Sequence, residues 1–553
     1  MDPNTRSPGL NEKILFWASF FTLIAAGMGF SIRGEILGQW GGQFGFTQTE
    51  LGEILGMGLL GFGITIIFFS FIVDLIGYGL VMVIAFLLHA ISVVATIAAP
   101  FAYEKYGKEG AYWCLYVGQF AFSLANGTCE AVINPLTATL FPNNKTHWLN
   151  ILHAGWPGGL VLGALVSLGL NQVEGGVGWQ IKWAIMGAPV LLYGILMVGR
   201  RFPKSEAREA AVPFSTMVLT LFSPVLLFLF LIHMMIGYVE LGTDSWIINI
   251  TNTVLANADW AQIAFIWTNV LMFTLRFFAG PIVHKISPLG LLFCSAVIGT
   301  LGLWMLGQPF TNSTWPWLAA VTVYGIGKTF YWPTMLGVIS ERFPKGGALA
   351  LGLSGGLGMI SAGLLGGPGI GYKQDYFAVE KVKEISSPTY ERYAARNEAG
   401  ELEPKGFPIV SKIAPDKVPP VAGLDNGKLK VFDDYGAKLD AEAKKAEGKK
   451  FDESKLKTTL ESDLEKVQQS KQSGKSVEEK LEKNLTDQKK WWDAKGQPNY
   501  ETDKQPLGES RLFGGKQALL YTAAVPAAMA VCYLLLLLFY KVTGGYKPKH
   551  INH

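Results

Sequence analysis

The chain has 553 residues, half of them apolar, with a mean hydropathy of +0.28 and 16% charged residues, against about a quarter in an ordinary soluble domain. The charges are also concentrated: the 142 residues from Lys373 to Gly514 hold 54 of the 90, leaving about 9% across the other 411. That background excludes a soluble enzyme, a nucleic-acid binder and a secreted disulfide scaffold, and a net charge of +4 is too small to point to a polyanionic partner.

A helix needs about 20 apolar residues to cross a bilayer. Six such runs precede residue 200: Ile14–Leu37, Leu51–Ile76, Gly79–Ala99, Ala111–Leu140, Trp148–Leu170 and Trp179–Val198. Five follow: Met217–Leu241, Trp260–Val283, Leu289–Leu306, Pro316–Ile339 and Ala348–Ile370. The twelfth, Gln517–Tyr540, comes only after the charged stretch. The first run is too long for a signal-peptide core and lacks a small-residue exit, so it reads as an uncleaved span. Cys114, Cys129, Cys294 and Cys532 each fall in an apolar run without CxxC spacing and read as small core residues.

Lys/Arg bias sets the expected orientation. With the N-terminus cytoplasmic, thirteen Lys/Arg lie in cytoplasmic segments and three in the short outer loops. Both termini are then inside and the charged stretch outside. The predicted fold class is an all-α membrane protein of twelve transmembrane helices in two six-helix pseudo-symmetric halves, with a large extracytoplasmic insertion between helices 11 and 12. The corresponding segments are 1–199, a cytoplasmic linker 200–216, helices 7–11 over 217–372, the insertion 373–514, and 515–553 with the last helix and tail.

The halves echo each other. Asp74-x-x-Gly77 closes the second run before a tight turn, and Gly280-x-x-x-His284-Lys285 closes the eighth, 210 positions later. Asn134-Pro135 in the fourth run is matched by Trp332-Pro333 in the tenth. Two halves with a substrate path between them is the secondary-transporter plan. The Asp74–Gly77 turn resembles the loop motif of the major facilitator superfamily, although it lacks that motif's basic residues. Glu130-Ala-Val-Ile-Asn134-Pro135, followed by Leu149-Asn150-Ile-Leu-His153, is similar to the E-x-x-x-N-P…L-N-L-a-Q pattern of the fucose/glucose–proton symporter family. Tyr331-Trp332-Pro333-Thr334 and Gly34-Glu35-Ile36-Leu37 resemble that family's Q-Y-P-T and N-D-I-L segments. The resemblance covers the apolar part and has no counterpart for 373–514.

Ionisable groups inside a bilayer are costly unless paired or hydrated, so each is a functional candidate. Glu130 lies mid-span with Asn126 and Asn134 four residues to either side, on one helical face. The set suits a polyhydroxy ligand, or a structural bond between helices. The resemblance assigns Glu130 and Glu35 to proton coupling, although Arg33, two residues from Glu35, supports an interfacial ion pair as well. His153 stands where the family has a sugar-contacting glutamine, and Trp156 offers a platform for a sugar ring. Lys328 and Tyr331 are candidate ligand contacts opposite, with Lys328 equally placed to neutralise Glu240 or Glu130. Asp74, Arg276 and His284 read as gating or structural positions near the cytoplasmic face. His233, Glu240 and Asp244 mark the seventh run.

No HExxH, CxxC pair or Walker sequence appears, so neither catalysis, a metal nor a cofactor is expected. The insertion should be helical over Asp434–Trp492, as two helices broken near Ser473-Gly474-Lys475. A stripe of Leu456, Leu460, Leu464 and Val467 is available either to a protein partner or to the insertion's own helices. The expected activity is proton-coupled import of a neutral monosaccharide or related small polar solute. The expected partners are a sugar-like small molecule, protons, membrane lipid and a protein docked through 373–514, with no nucleic acid. The alternatives are an organic-anion or sugar-acid carrier and a transporter-fold scaffold subunit. A bacterial inner membrane is the expected location.

Overall fold

The computed structural model describes residues 9–551, except 45, 47, 174–176, 398, 408, 452, 473–478 and 550. Regular structure among them is helical, apart from three isolated β-bridges. The chain forms two compact units, one of Met1–Ile370 with Leu519–His553 and one of Gly371–Ala518.

The first unit opens with α1 (Leu10–Phe44), α2 (Gln48–Ile76), α3 (Tyr78–Ile97), α4 (Ala99–Leu140), α5 (Lys145–Asn171) and α6 (Trp179–Met197). Two short helices, α7 (Glu206–Glu209) and α8 (Phe214–Leu221), lead into α9 (Pro224–Asp244), α10 (Ile247–Leu255), α11 (Ala258–Arg276) and α12 (Ala279–Leu306). Then come α13 (Thr314–Lys328), α14 (Tyr331–Arg342) and α15 (Gly347–Ser361). Among the described residues, eight helical stretches are long and apolar enough to cross a membrane. The protein is an integral membrane protein. The hydropathy of α4 is diluted by Gln119, Asn126, Glu130 and Asn134, all buried, and α4 is not among those eight.

Turns and breaks follow local chemistry. Gly77 joins α2 to α3 at φ 90°, a conformation open to glycine and strained for other residues. The expected seventh run is broken at Ser223, with Pro224 at the first position of α9, where its missing N–H costs nothing. The expected tenth run is split between Lys328 and Tyr331. Pro333 cannot donate to the carbonyl of Thr329 four residues earlier. Cys129 is buried, but Cys294 is exposed on α12, which corrects the core assignment for that residue.

Helices α1–α6 and α9–α15, called the two halves below, meet along two seams. Gly63 of α2 abuts Gly356 and Ile360 of α15, while Gly158 of α5 lies against Phe273 of α11. Small residues allow such close crossings in a bilayer, where helix association rests on van der Waals packing and hydrogen bonds.

The second unit contains most of α16 (Gly367–Ile385), α17 (Ser387–Tyr393), α18 (Val410–Ile413), α19 (Asn426–Ala446), α20 (Thr459–Gln472), α21 (Glu479–Trp491) and most of α22 (Tyr500–Thr522), which precedes α23 (Ala524–Val542) of the first unit. Helix α19 starts earlier than expected because Asp425 caps it, accepting from the N–H groups of Gly427 and Lys428 at 2.9 and 3.1 Å. It ends at Ala446, two residues before Gly448 at φ 67°, so three helices stand where two were expected. The break expected at Ser473–Lys475 lies outside the described residues. Leu460 and Val467 are buried, and Leu460 and Leu464 pack in this unit's own core with Leu429, Phe432 and Trp492. The stripe therefore serves the unit's interior.

Candidate functional site: a polar chain between the halves

The site is built from α4 outward. Glu130 is 8% exposed, and the Asn134 amide donates to its Oε2 at 2.5 Å and to its backbone carbonyl at 3.1 Å. The Asn134 carbonyl oxygen meets His153 Nε2 of α5 at 2.8 Å. Asn126 departs from the expected stack. Its Oδ1 meets His89 Nε2 of α3 at 3.1 Å, and His89 Nδ1 meets the Tyr193 hydroxyl of α6 at 2.9 Å. Lone ionisable residues in apolar runs are the signal that could have flagged His89.

The chain continues across the halves through main-chain atoms. Pro157, four residues after His153, has no N–H to offer that carbonyl, and Arg276 Nη1 of α11 donates to it at 2.6 Å. The Arg276 Nε donates at 2.8 Å to the Thr329 carbonyl, which Pro333 leaves unbonded in the same way. Two Trp-Pro pairs, Trp156-Pro157 and Trp332-Pro333, thus present one freed carbonyl from each half to a single buried guanidinium. Arg276 also donates through Nη2 to Glu240 Oε1 of α9 at 3.3 Å, while Glu240 Oε2 is buried without a hydrogen-bond partner. The result is a continuous series, Glu130–Asn134–His153–Arg276–Glu240, with a carboxylate at each end.

Other candidates stand elsewhere. Lys328 pairs with Asp244 of α9 and so is neutralised within its own half. Tyr331 is fully buried and its hydroxyl donates to the Ser295 carbonyl at 3.1 Å, a packing arrangement. Trp156 is half-buried, its ring 5.0 Å from Phe30. In the second half the corresponding aromatic is Trp332, 4.6 Å from the His233 ring, with His233 Nδ1 2.5 Å from Ser354 Oγ. Glu35 accepts from Asn171 at 2.8 Å and lies 3.7 Å from Lys182, among the ends of α1, α5 and α6 and apart from Glu130's hydrogen-bond partners.

Asp74, His284 and Glu341 mark one end of the bundle. Asp74 Oδ2 lies beside Gly347 at the start of α15. His284 is exposed, while its neighbour Gly280 donates its N–H to His147 Nδ1 of α5 at 3.1 Å. Glu341 of α14 accepts from the Thr146 hydroxyl of α5 at 2.6 Å. Asn150 donates to Thr334 Oγ1 at 3.1 Å, so the halves are fastened here by several bonds. Among the described residues no cluster of metal-ligating side chains occurs.

A helical membrane bundle in two halves joined by a buried polar chain has the build of a secondary transporter. The profile of the Major Facilitator Superfamily matches residues 18–369, and the chain belongs to that family of transporters. A sequence search of curated proteins returns no match. Among solved structures the chain is similar to the E. coli fucose:proton symporter, at 17% identity and TM-score 0.55, over 67% of this chain and 93% of that one. It is similar to a Major Facilitator Superfamily transporter, FucP, in the outward conformation, at 18% identity and TM-score 0.53, over 66% and 93%. It is also similar to the E. coli proton:xylose symporter XylE bound to 6-bromo-6-deoxy-D-glucose, at 14% identity and TM-score 0.51, over 64% and 86%. At these identities the likeness shows the fold.

Proposed function

We propose that this transporter couples entry of a monosaccharide or related small polar solute to protons, by alternating access of a site between two six-helix halves. The observation that carries this reading is the polar series from Glu130 to Glu240. Glu130 has an amide and no described cation beside it, so proton binding changes its charge without breaking an ion pair. Loss of that proton alters what Asn134 and His153 are bonded to, and through the His153 carbonyl the grip of Arg276 on both halves. The symporters of similar fold are named for sugars and protons, which favours the same class of cargo here. We place the Lys/Arg-rich end, where Thr146 and Glu341 fasten the halves, in the cytoplasm of a bacterial inner membrane, with both termini on that side.

Glu130→Gln is the test. The amide keeps the shape of the protonated acid but cannot release a proton, so proteoliposomes with the variant should exchange solute across the membrane yet fail to accumulate it against a gradient when a pH difference is imposed. Accumulation by the variant equal to that of the parent would remove Glu130 from coupling.

A further inference from the structure

The described buried cations of the bundle are paired, with one exception. Arg276 has Glu240 at 3.3 Å, Lys328 has Asp244, Lys182 has Asn171 at 2.5 Å with Glu35 at 3.7 Å, and Lys145 has Glu206 at 2.6 Å. Arg33 is 8% exposed, has no acidic partner among the described residues, and its Nη1 is buried without a hydrogen-bond partner. Its guanidinium carbon stands 4.3 Å from the Phe30 ring centroid, a contact that offsets part of the burial but satisfies no N–H. Burying a guanidinium with an unmet donor is expensive, so the position calls for an acceptor.

The surroundings say what kind. Nη1 and Ser123 Oγ each lie 3.2 Å from where a Gly58 Cβ would stand, so α1, α2 and α4 converge at this point and the glycine makes room for the guanidinium. Ser123 precedes Glu130 by two helical turns on the same face of α4, about 10 Å along the axis. Phe30, over which Arg33 stands, also meets the Trp156 ring at 5.0 Å. Arg33, Ser123, Phe30 and Trp156 are thus gathered in one neighbourhood of the first six helices. A planar guanidinium can match a carboxylate by two parallel hydrogen bonds, and Nη1 is the nitrogen of Arg33 without a partner.

We propose that Arg33 binds the carboxylate of an acidic monosaccharide, a uronate or aldonate, whose ring lies against Phe30 and Trp156. This rests on the transporter reading above and names the class of its solute. The measurement is the thermal stability of the purified full chain in detergent with glucuronate, galacturonate, gluconate, glucose or galactose. At least one acid should raise the melting temperature while the matched neutral sugar does not. Arg33→Gln should weaken binding of that acid by about tenfold or more, the loss of a charge-assisted pair. Arg33→Lys, which keeps the charge and loses the fork, should fall between, and it keeps the test intact if the glutamine variant misfolds. Equal or greater stabilisation by neutral sugars, no stabilisation by any acid, or full acid binding in folded Arg33→Gln overturns the proposal. Uptake of the bound acid that ignores an imposed pH difference would sink the proton-coupling reading alone, leaving the anion site standing.

Discussion

Arg276 shows how a single residue acquires its role from chain chemistry three helices away. A proline removes one main-chain donor, and the carbonyl four residues earlier is left without its helical partner. For Pro157 that carbonyl belongs to His153 of α5 and for Pro333 to Thr329, the residue after α13, and both are filled by Arg276. Pro157→Ala should restore a helical N–H that competes for the His153 carbonyl. We expect the variant to fold, to melt no lower than the parent, and to change its transport rate severalfold through a looser tie between the halves; unchanged kinetics would show that the Arg276 contact does not limit the cycle. The sequence marks the ionisable residues well, because each is conspicuous in an apolar run. It does not mark their partners. Lys328 was open to Glu240, Glu130 or an anion, and lies on Asp244, because pairing depends on how each helix is rotated about its axis, and a few polar positions do not specify that angle.

At the scale of elements, the end of the bundle near Arg342 is closed by more than the two halves. The Tyr546 hydroxyl donates to Glu341 Oε2 at 2.7 Å, and the Lys549 N–H donates to the Glu341 carbonyl at 2.7 Å. Arg342 donates to the Lys547 carbonyl and stacks 4.5 Å over Tyr540 of α23. Glu341 thus holds Thr146 of α5 with one oxygen and the C-terminal tail with the other. Tyr546→Phe removes one charged hydrogen bond, worth about 1.5–3 kcal/mol, and should shift the balance toward the state open at this end by about tenfold or more. Spin labels placed at this end of α5 and α14 would read the shift as a longer distance; an unchanged distance distribution would mean that the tail rests on the gate without biasing it. Helix existence was legible from apolar runs, and the main breaks came from Pro224, Pro333 and Gly448. The tail contact was not legible, since Tyr546 lies past the last apolar run and nothing in Gly544-Gly545-Tyr546 announces what it docks against.

The whole molecule joins two stabilising strategies in one chain. The membrane unit is packed through close helix crossings, whereas residues 371–518 gather around an apolar core of their own. The centre of that second core is aromatic: Trp492 is 1% exposed and stacks on Tyr435 at 4.4 Å and 17°, with Phe432 and Tyr500 4.8 Å apart nearby. Asp503, fully buried, accepts from Arg392 and from the Thr389 hydroxyl at 2.7 Å, so this buried carboxylate is paired. The charge-rich composition from Lys373 onward is plain in the sequence, but the helix breaks are not, because alternating Lys and Glu support a helix without saying where it ends. Trp492→Ala should cost about 3–5 kcal/mol of this core's stability. Limited proteolysis of the full chain in detergent would then cut within 371–518 on the order of a hundredfold faster or more, while sites in 9–370 keep their parental rate. Parallel acceleration at both would show one cooperative unit in place of two, and solute exchange measured on the same variant would then tell whether the charged insertion supports the transport cycle or only rides on it.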